Sequence, residues 1–108
     1  MEAPSTVSIL TTRDRIVTAL LGVRPRLEAK GVRHSALFGS VARGDDGADS
    51  DVDVVLDLDP AAHVDLFELA SMYLLLTTEL AREVDIVTRR TLRPERHAEI
   101  LGDLFDVF

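Results

Sequence analysis

The chain has 108 residues, with 19 Asp and Glu against 12 Lys and Arg, and neither Cys nor Trp. Its formal charge of -7 is concentrated: residues 45–59 (DDGADSDVDVVLDLD) hold seven Asp and no Lys or Arg, while the other 93 residues carry 12 acids and 12 bases. This composition excludes disulfides, thiolate zinc sites and Cys nucleophiles, and it offers no broad basic face for duplex nucleic acid.

At 46% hydrophobic and 29% charged, the chain can bury the core of one small domain. No apolar run is long enough to span a membrane. The opening residues show no basic segment followed by an apolar stretch, so a cytoplasmic protein without a secretory signal is expected.

Residues 1–11 are mostly small and polar and read as a flexible arm, leaving 12–108 as a single domain. A helical pattern begins at Asp14, with Ile16, Val17, Leu20, Leu21 and Leu27 on one side. Pro25 should kink it or divide it into two pieces ending near Gly31. Ala36-Leu37-Phe38 reads as a buried strand stopped by Gly39. A helical turn through Val41 and Ala42 follows, then a loop with Gly44 and Gly47 at its turns.

Residues 51–57 alternate, with Asp51, Asp53, Val55 and Asp57 on one face and Val52, Val54 and Leu56 on the other. Asp59-Pro60 has the form of a helix cap followed by proline in the first turn. The helix after it should bury Leu66, Leu69, Tyr73, Leu76 and Leu80. Residues 83–88 (EVDIVT) form a third strand. Pro94 should open a last helix whose stripe is Ile100, Leu101, Leu104 and Phe105. The order is α-β-α-β-α-β-α, an α/β fold with a small mixed sheet flanked by helices.

Three motifs compete for the acidic segment. Gly39 and Gly44 have P-loop spacing, but Asp45 and Asp46 stand where Lys and Ser or Thr are needed, and they would repel phosphate. Asp49, Asp51 and Asp53 have the spacing of a calcium loop, but Val54 and Pro60 occupy positions that require Gly and Glu. The third motif is complete. Gly39-Ser40 ends a strand, and ten residues later comes Asp51-Val52-Asp53.

Two carboxylates at i and i+2 on a strand share a face and can reach one divalent cation. Gly39 permits close backbone approach to an anion, and Ser40 adds a hydroxyl. The following helical turn presents free N–H groups. Asp85, on another short strand, can bring a third carboxylate. Two Mg²⁺ on such a set is an arrangement suited to in-line phosphoryl or nucleotidyl displacement. His34, His63 and His97 are scattered without metal-ligand spacing.

The segment GSVARGDDGADSDVD resembles the nucleotidyltransferase signature of the DNA polymerase β superfamily. The fuller stretch from Leu37 to Asp57 is similar to minimal nucleotidyltransferases, the antitoxin half of HEPN/MNT toxin–antitoxin pairs. The resemblance runs from about Val32 to Thr88. It implies that Gly39 and Ser40 hold the β- and γ-phosphates of a nucleoside triphosphate. Asp51, Asp53 and Asp85 would be the catalytic metal ligands, with Asp85 also a candidate acceptor for the attacking hydroxyl's proton. Arg43 either touches phosphate, as a nucleotide-binding residue, or pairs with the local Asp cluster.

The implied activity is Mg²⁺-dependent transfer of AMP from ATP to a tyrosine of a HEPN toxin, within a hetero-oligomer. Two alternatives stay open: an antitoxin that blocks its partner by contact alone, and a nucleotidyltransferase for small molecules of the aminoglycoside kind. The second would need acceptor walls that the 23 residues after Asp85 leave little room to build. Arg89, Arg90, Arg93 and Arg96 form either a solvated helix start or a surface for triphosphate or an acidic partner. The apolar C-terminus (Phe105, Val107, Phe108) either folds back on the core or packs on another subunit.

Overall fold

The computed structural model describes residues 10–108. Most of the expected arm, residues 1–9, lies outside the described residues. The elements are α1 (Thr12–Ala29), β1 (Val32–Phe38), α2 (Gly39–Arg43), β2 (Val52–Leu58), α3 (Leu66–Leu80), β3 (Val84–Thr88), α4 (Ala98–Gly102) and β4 (Phe105–Asp106), with 3-10 turns at Pro60–Ala62 and Arg89–Thr91. Among the described residues, no helix is long and apolar enough to cross a membrane.

The sheet order is β3-β2-β1-β4. β1 runs antiparallel to both β2 and β4, whereas β2 and β3 are parallel and joined through α3, so the sheet is mixed as expected. A parallel pair cannot be joined by a hairpin, and α3 is the crossover that closes the β2-α3-β3 unit. This helix therefore lies against one face of the sheet. There the main core forms from α1 (Ile16, Leu20, Val23, Leu27), α3 (Met72, Leu76, Leu80) and Leu37, Val52, Val54, Leu56 and Val84 of the strands. The opposite face carries a smaller cluster of Ala36, Phe38, Val55 and Leu92, flanked by Ile100, Leu101 and Leu104.

Several sequence expectations change. α1 is one unbroken helix through Pro25, opened by a capping box in which Asp14 N–H donates to Thr11 Oγ1 (3.0 Å) and Thr11 N–H donates to Asp14 Oδ2 (3.2 Å). Pro25 lies on the exposed side, where the helical hydrogen bond it lacks is lost facing water and its neighbours' packing is undisturbed. Leu21 is exposed and Val23 is buried in its place. Asp59 caps only the short 3-10 turn, accepting from Ala61 N–H (2.9 Å), while Asp65 caps α3 by accepting from Glu68 N–H (2.8 Å).

The buried stripe of α3 is Met72, Leu76 and Leu80, so Leu66 and Tyr73 are exposed instead of buried. The last helix begins at Ala98, not at Pro94, and Phe105 leaves it for the edge strand β4. Of the two fates open to the C-terminus, folding back is the one realised. Val107 N–H donates to Ser35 O (2.9 Å), and Arg13 and Arg24 stack their guanidinium groups on Phe105 and Phe108 at 4.4 and 4.9 Å.

Candidate active site

The candidate residues meet where β1 ends and β2 and β3 begin. Asp53 lies opposite Phe38 across the antiparallel ladder and opposite Asp85 across the parallel one. Alternation fixes which way they face. Val52, Val54 and Leu56 enter the main core, so Asp53 stands on the other face beside Val55. Asp85 has the same relation to Val84 and Ile86, which pack on the main core. Two strands thus deliver two carboxylates to one face in register. Asp51, just before β2, is exposed beside them.

Gly39 has φ +72, a conformation that glycine alone adopts at no steric cost. A Cβ built there would collide with the Asp53 carboxylate, which occupies that space. The Gly-Ser turn and the Asp-x-Asp strand are therefore one packed unit, although ten residues separate them. α2 follows directly, and Gly44 closes it in the left-handed region (φ 83) with its N–H donating to Ser40 O at 2.9 Å. Ser40 is half-buried at the start of this turn.

The carboxyl of Asp53 is held above its usual range. Burial is the main cause, followed by the charge and hydrogen bond of Asp85, then the charge of Asp51; Arg43 opposes the shift. Two carboxylates that face each other at hydrogen-bonding reach need a proton or a cation between them. Asp51, Asp53 and Asp85 fit a divalent cation in this chemical sense: all three ligands are hard oxygens, and their mutual repulsion is relieved by positive charge. Among the described residues, no three or more His, Asp or Glu side chains converge as a preformed metal cage. The arrangement is a facing pair with Asp51 at its side.

Arg43 stands at the margin of the site, where its Nε and Nη1 donate to Asp45 Oδ2 (3.1 Å) and Asp103 Oδ2 (2.7 Å). It is thus engaged by carboxylates, while its charge still reaches Asp53. Arg89, Arg90, Arg93 and Arg96 follow β3 at its far end, away from Asp85. Arg89 and Arg90 line a separate cleft of about 380 Å³ with Arg33, Asp57 and Asp59.

Sequence reasoning missed Arg82. Its Nη2 donates to Ser50 O (2.5 Å) and Gly47 O (3.1 Å), and its Nη1 is 3.8 Å from Asp46 Oδ2. It ties the acidic loop to the start of β3 and so sets the approach of Asp51. Ala81 ends α3 at φ 54, a left-handed conformation costly for a residue with a Cβ, and this turn directs the chain into Arg82. A signal was available: Arg82 is the sole Lys or Arg between Arg43 and Arg89. A second missed contact is the Tyr73 hydroxyl, which donates to Glu83 Oε2 at 2.9 Å beside the carboxylates.

Residues 22–104 match the family described as the nucleotidyltransferase domain. Over 83 residues, covering 77% of this chain and 87% of the relative, the sequence is 30% identical to a Methanocaldococcus jannaschii protein named "Putative protein adenylyltransferase". A solved structure described as a "putative minimal nucleotidyltransferase" superposes with a TM-score of 0.71 at 28% identity, covering 91% of this chain and 97% of that one. The Shewanella oneidensis complex of a tri-AMPylated HEPN toxin with an MNT antitoxin shares the fold, with a TM-score of 0.56 at 18% identity, covering 90% of this chain and 69% of that one. The matched residues include the Gly-Ser turn, the Asp-x-Asp strand and Asp85, and the chain belongs to the nucleotidyltransferase domain family.

Proposed function

We propose that the chain is a Mg²⁺-dependent adenylyltransferase that moves AMP from ATP to a tyrosine hydroxyl of a HEPN-type toxin and thereby acts as its antitoxin in the cytoplasm. One observation carries the reading: Asp53 and Asp85 face each other in register, and the Asp53 carboxylate packs against the Gly39 turn. Further support comes from the named adenylyltransferase relative and from the AMPylated toxin held by a chain of this fold. The exposed side of α3, with Leu66 at 79%, Phe67 at 86% and Leu74 at 63% exposure, favours a protein acceptor over a small molecule.

In this reading Gly39 and Ser40 hold the triphosphate, with backbone close to phosphate oxygen and the Ser40 hydroxyl donating to it. Asp51, Asp53 and Asp85 hold the metal. Divalent cation bound there supplies neutralisation of triphosphate charge during displacement. Asp85 lies on the outer strand, open to an incoming acceptor, and takes the proton from the attacking hydroxyl. The acceptor oxygen bonds to the α-phosphorus, the bond from that phosphorus to the bridging oxygen breaks, and pyrophosphate leaves. Most of the protein's contribution is positioning of these groups.

The test is intact mass of a co-purified HEPN partner after incubation with ATP and Mg²⁺. A gain of one or more AMP is expected with the natural chain and none with the double variant Asp51→Ala, Asp53→Ala. Full inhibition of the partner at unchanged mass would establish contact blocking instead. Transfer that persists in the double variant would remove the carboxylates from the mechanism.

A further inference from the structure

β3 is the outermost strand on its side of the sheet, and among the described residues no strand pairs with its outer edge. Val52 N–H donates to Glu83 O at 2.9 Å, which fixes the direction of every backbone group along the strand. Amide and carbonyl groups of Asp85 and Val87 point, like the Glu83 carbonyl, towards β2. Those of Val84, Ile86 and Thr88 therefore point outward. Along this edge runs a groove of about 350 Å³ between β3 and α3, lined by Leu66, Leu69, Ala70 and Tyr73 from the helix and by Ile86 and Asp85 from the strand. An unpaired strand edge over an apolar trough is the setting in which an extended peptide adds as a further strand.

Asp85, the candidate catalytic carboxylate, is one of the residues that line the groove. Among the described residues no Lys or Arg lines it, Asp85 is its one carboxylate, and the Tyr73 hydroxyl on its helix wall donates to Glu83 Oε2 at 2.9 Å. A neutral or basic strand complements this lining, and an acidic one does not. We propose that the groove is the acceptor-docking site: an extended segment of the acceptor protein pairs with the outward edge of β3 and carries the reactive hydroxyl between two apolar residues. This rests on the reading of the chain as a protein adenylyltransferase.

Strand alternation dictates the sequence pattern. In the added strand, one set of side chains turns to the α3 side and fills the trough against Leu66, Leu69 and Ala70. The set between them turns to the face on which Asp53 and Asp85 stand. A hydroxyl residue aimed at Asp85 must then have neighbours aimed into the groove. The acceptor pattern is apolar–hydroxyl–apolar, with basic or neutral residues beyond.

The probe is the capped peptide Lys-Val-Tyr-Val-Lys at millimolar concentration, compared with Lys-Gly-Tyr-Gly-Lys, which has the same charge and hydroxyl but nothing for the trough. Amide hydrogen exchange is read by NMR at Ile86 and Thr88, and AMP transfer is read by mass in the same samples with ATP and Mg²⁺. The valine peptide should slow exchange at both amides by about ten-fold or more, the glycine peptide should not, and Ala70→Arg should abolish the protection. Ala70 is exposed, so the arginine is accommodated, and the peptide pair decides the matter without any variant.

No protection by the valine peptide, or equal protection by both peptides, overturns the docking site. So does transfer without protection. Protection without transfer upholds strand addition at this edge but overturns its role as the acceptor site, and the mass of the co-purified partner decides the adenylyltransferase reading separately.

Discussion

The two faces of β2 do opposite work. On one, Val52, Val54 and Leu56 are fully buried against α1 and α3. On the other, Asp53 is pressed beside Asp85, and its carboxyl is pushed upward by burial and like charge. One strand therefore supplies packing along its whole inner face, whereas on its outer face only Val55 packs and Asp53 draws stability from the fold. A strand built only for stability would not align two acids in register. Their alignment is the feature that calls for a ligand.

The comparison breaks most visibly on the packing face. Leu56→Ala should cost about 2–5 kcal/mol, because the side chain is fully enclosed and its neighbours collapse only partly into the space. In a domain of this size the melting temperature should fall by about 10 °C or more, which circular dichroism would record. A fall of only a degree or two would show that this face contributes less than its burial implies.

The next effect is on the working face. Asp53→Asn keeps the shape and removes the charge, and AMP transfer should fall by about 100-fold or more. Its pH signature follows from the direction of the shift. Asp53 binds its proton more tightly in the folded chain than in the unfolded chain, so without metal its contribution worsens as pH rises from the ordinary carboxylate value of 3.8 through the raised folded value. Above that window the natural chain bears the whole penalty, and Asp53→Asn should flatten this part of the stability profile. Urea melts across the acid range provide the check.

The smallest expected effect sharpens the contrast on β1. Ser35 is buried with its hydroxyl unpaired among the described residues, at a position opposite Leu56. Ser35→Ala should stabilise the chain by about 1 kcal/mol, visible as a modest rise in melting temperature, because a desolvated polar group is removed. A loss of stability would mean that the hydroxyl is satisfied in solution.

How much of this was legible beforehand depended on whether local pattern and chemistry coincided. They coincide at residues 51–57, where period two separates valines from aspartates, and at Gly39-Ser40, where a turn requirement meets an apolar strand. There the sequence reading and the fold agree. Elsewhere local rules had two solutions. Both Asp59 and Asp65 can cap a helix, and only tertiary packing selects Asp65 for α3. The α3 stripe could be drawn through Leu66 and Tyr73 or through Met72, and the sheet it packs on decides for Met72.

Proline rules forecast a break at Pro25, but the residue faces water, where the missing hydrogen bond matters little. β4 is two residues long and exists through pairing with β1, which no local pattern announces. The clamp by Arg82 spans 35 residues to Gly47, so its partners could not be read from neighbours.

The most direct measurement is the melting temperature of the natural chain and of Asp53→Asn, each with and without ATP and Mg²⁺. Without ligand, the variant should melt higher, because the like-charge strain beside Asp85 is gone. With ligand, the natural chain should rise by several degrees and overtake it, since binding to the folded state alone adds stability by mass action, while the variant should hardly move. Equal ligand-induced rises in both proteins, or a variant that melts lower without ligand, would contradict the account of β2 as a strand whose outer face is strained for binding.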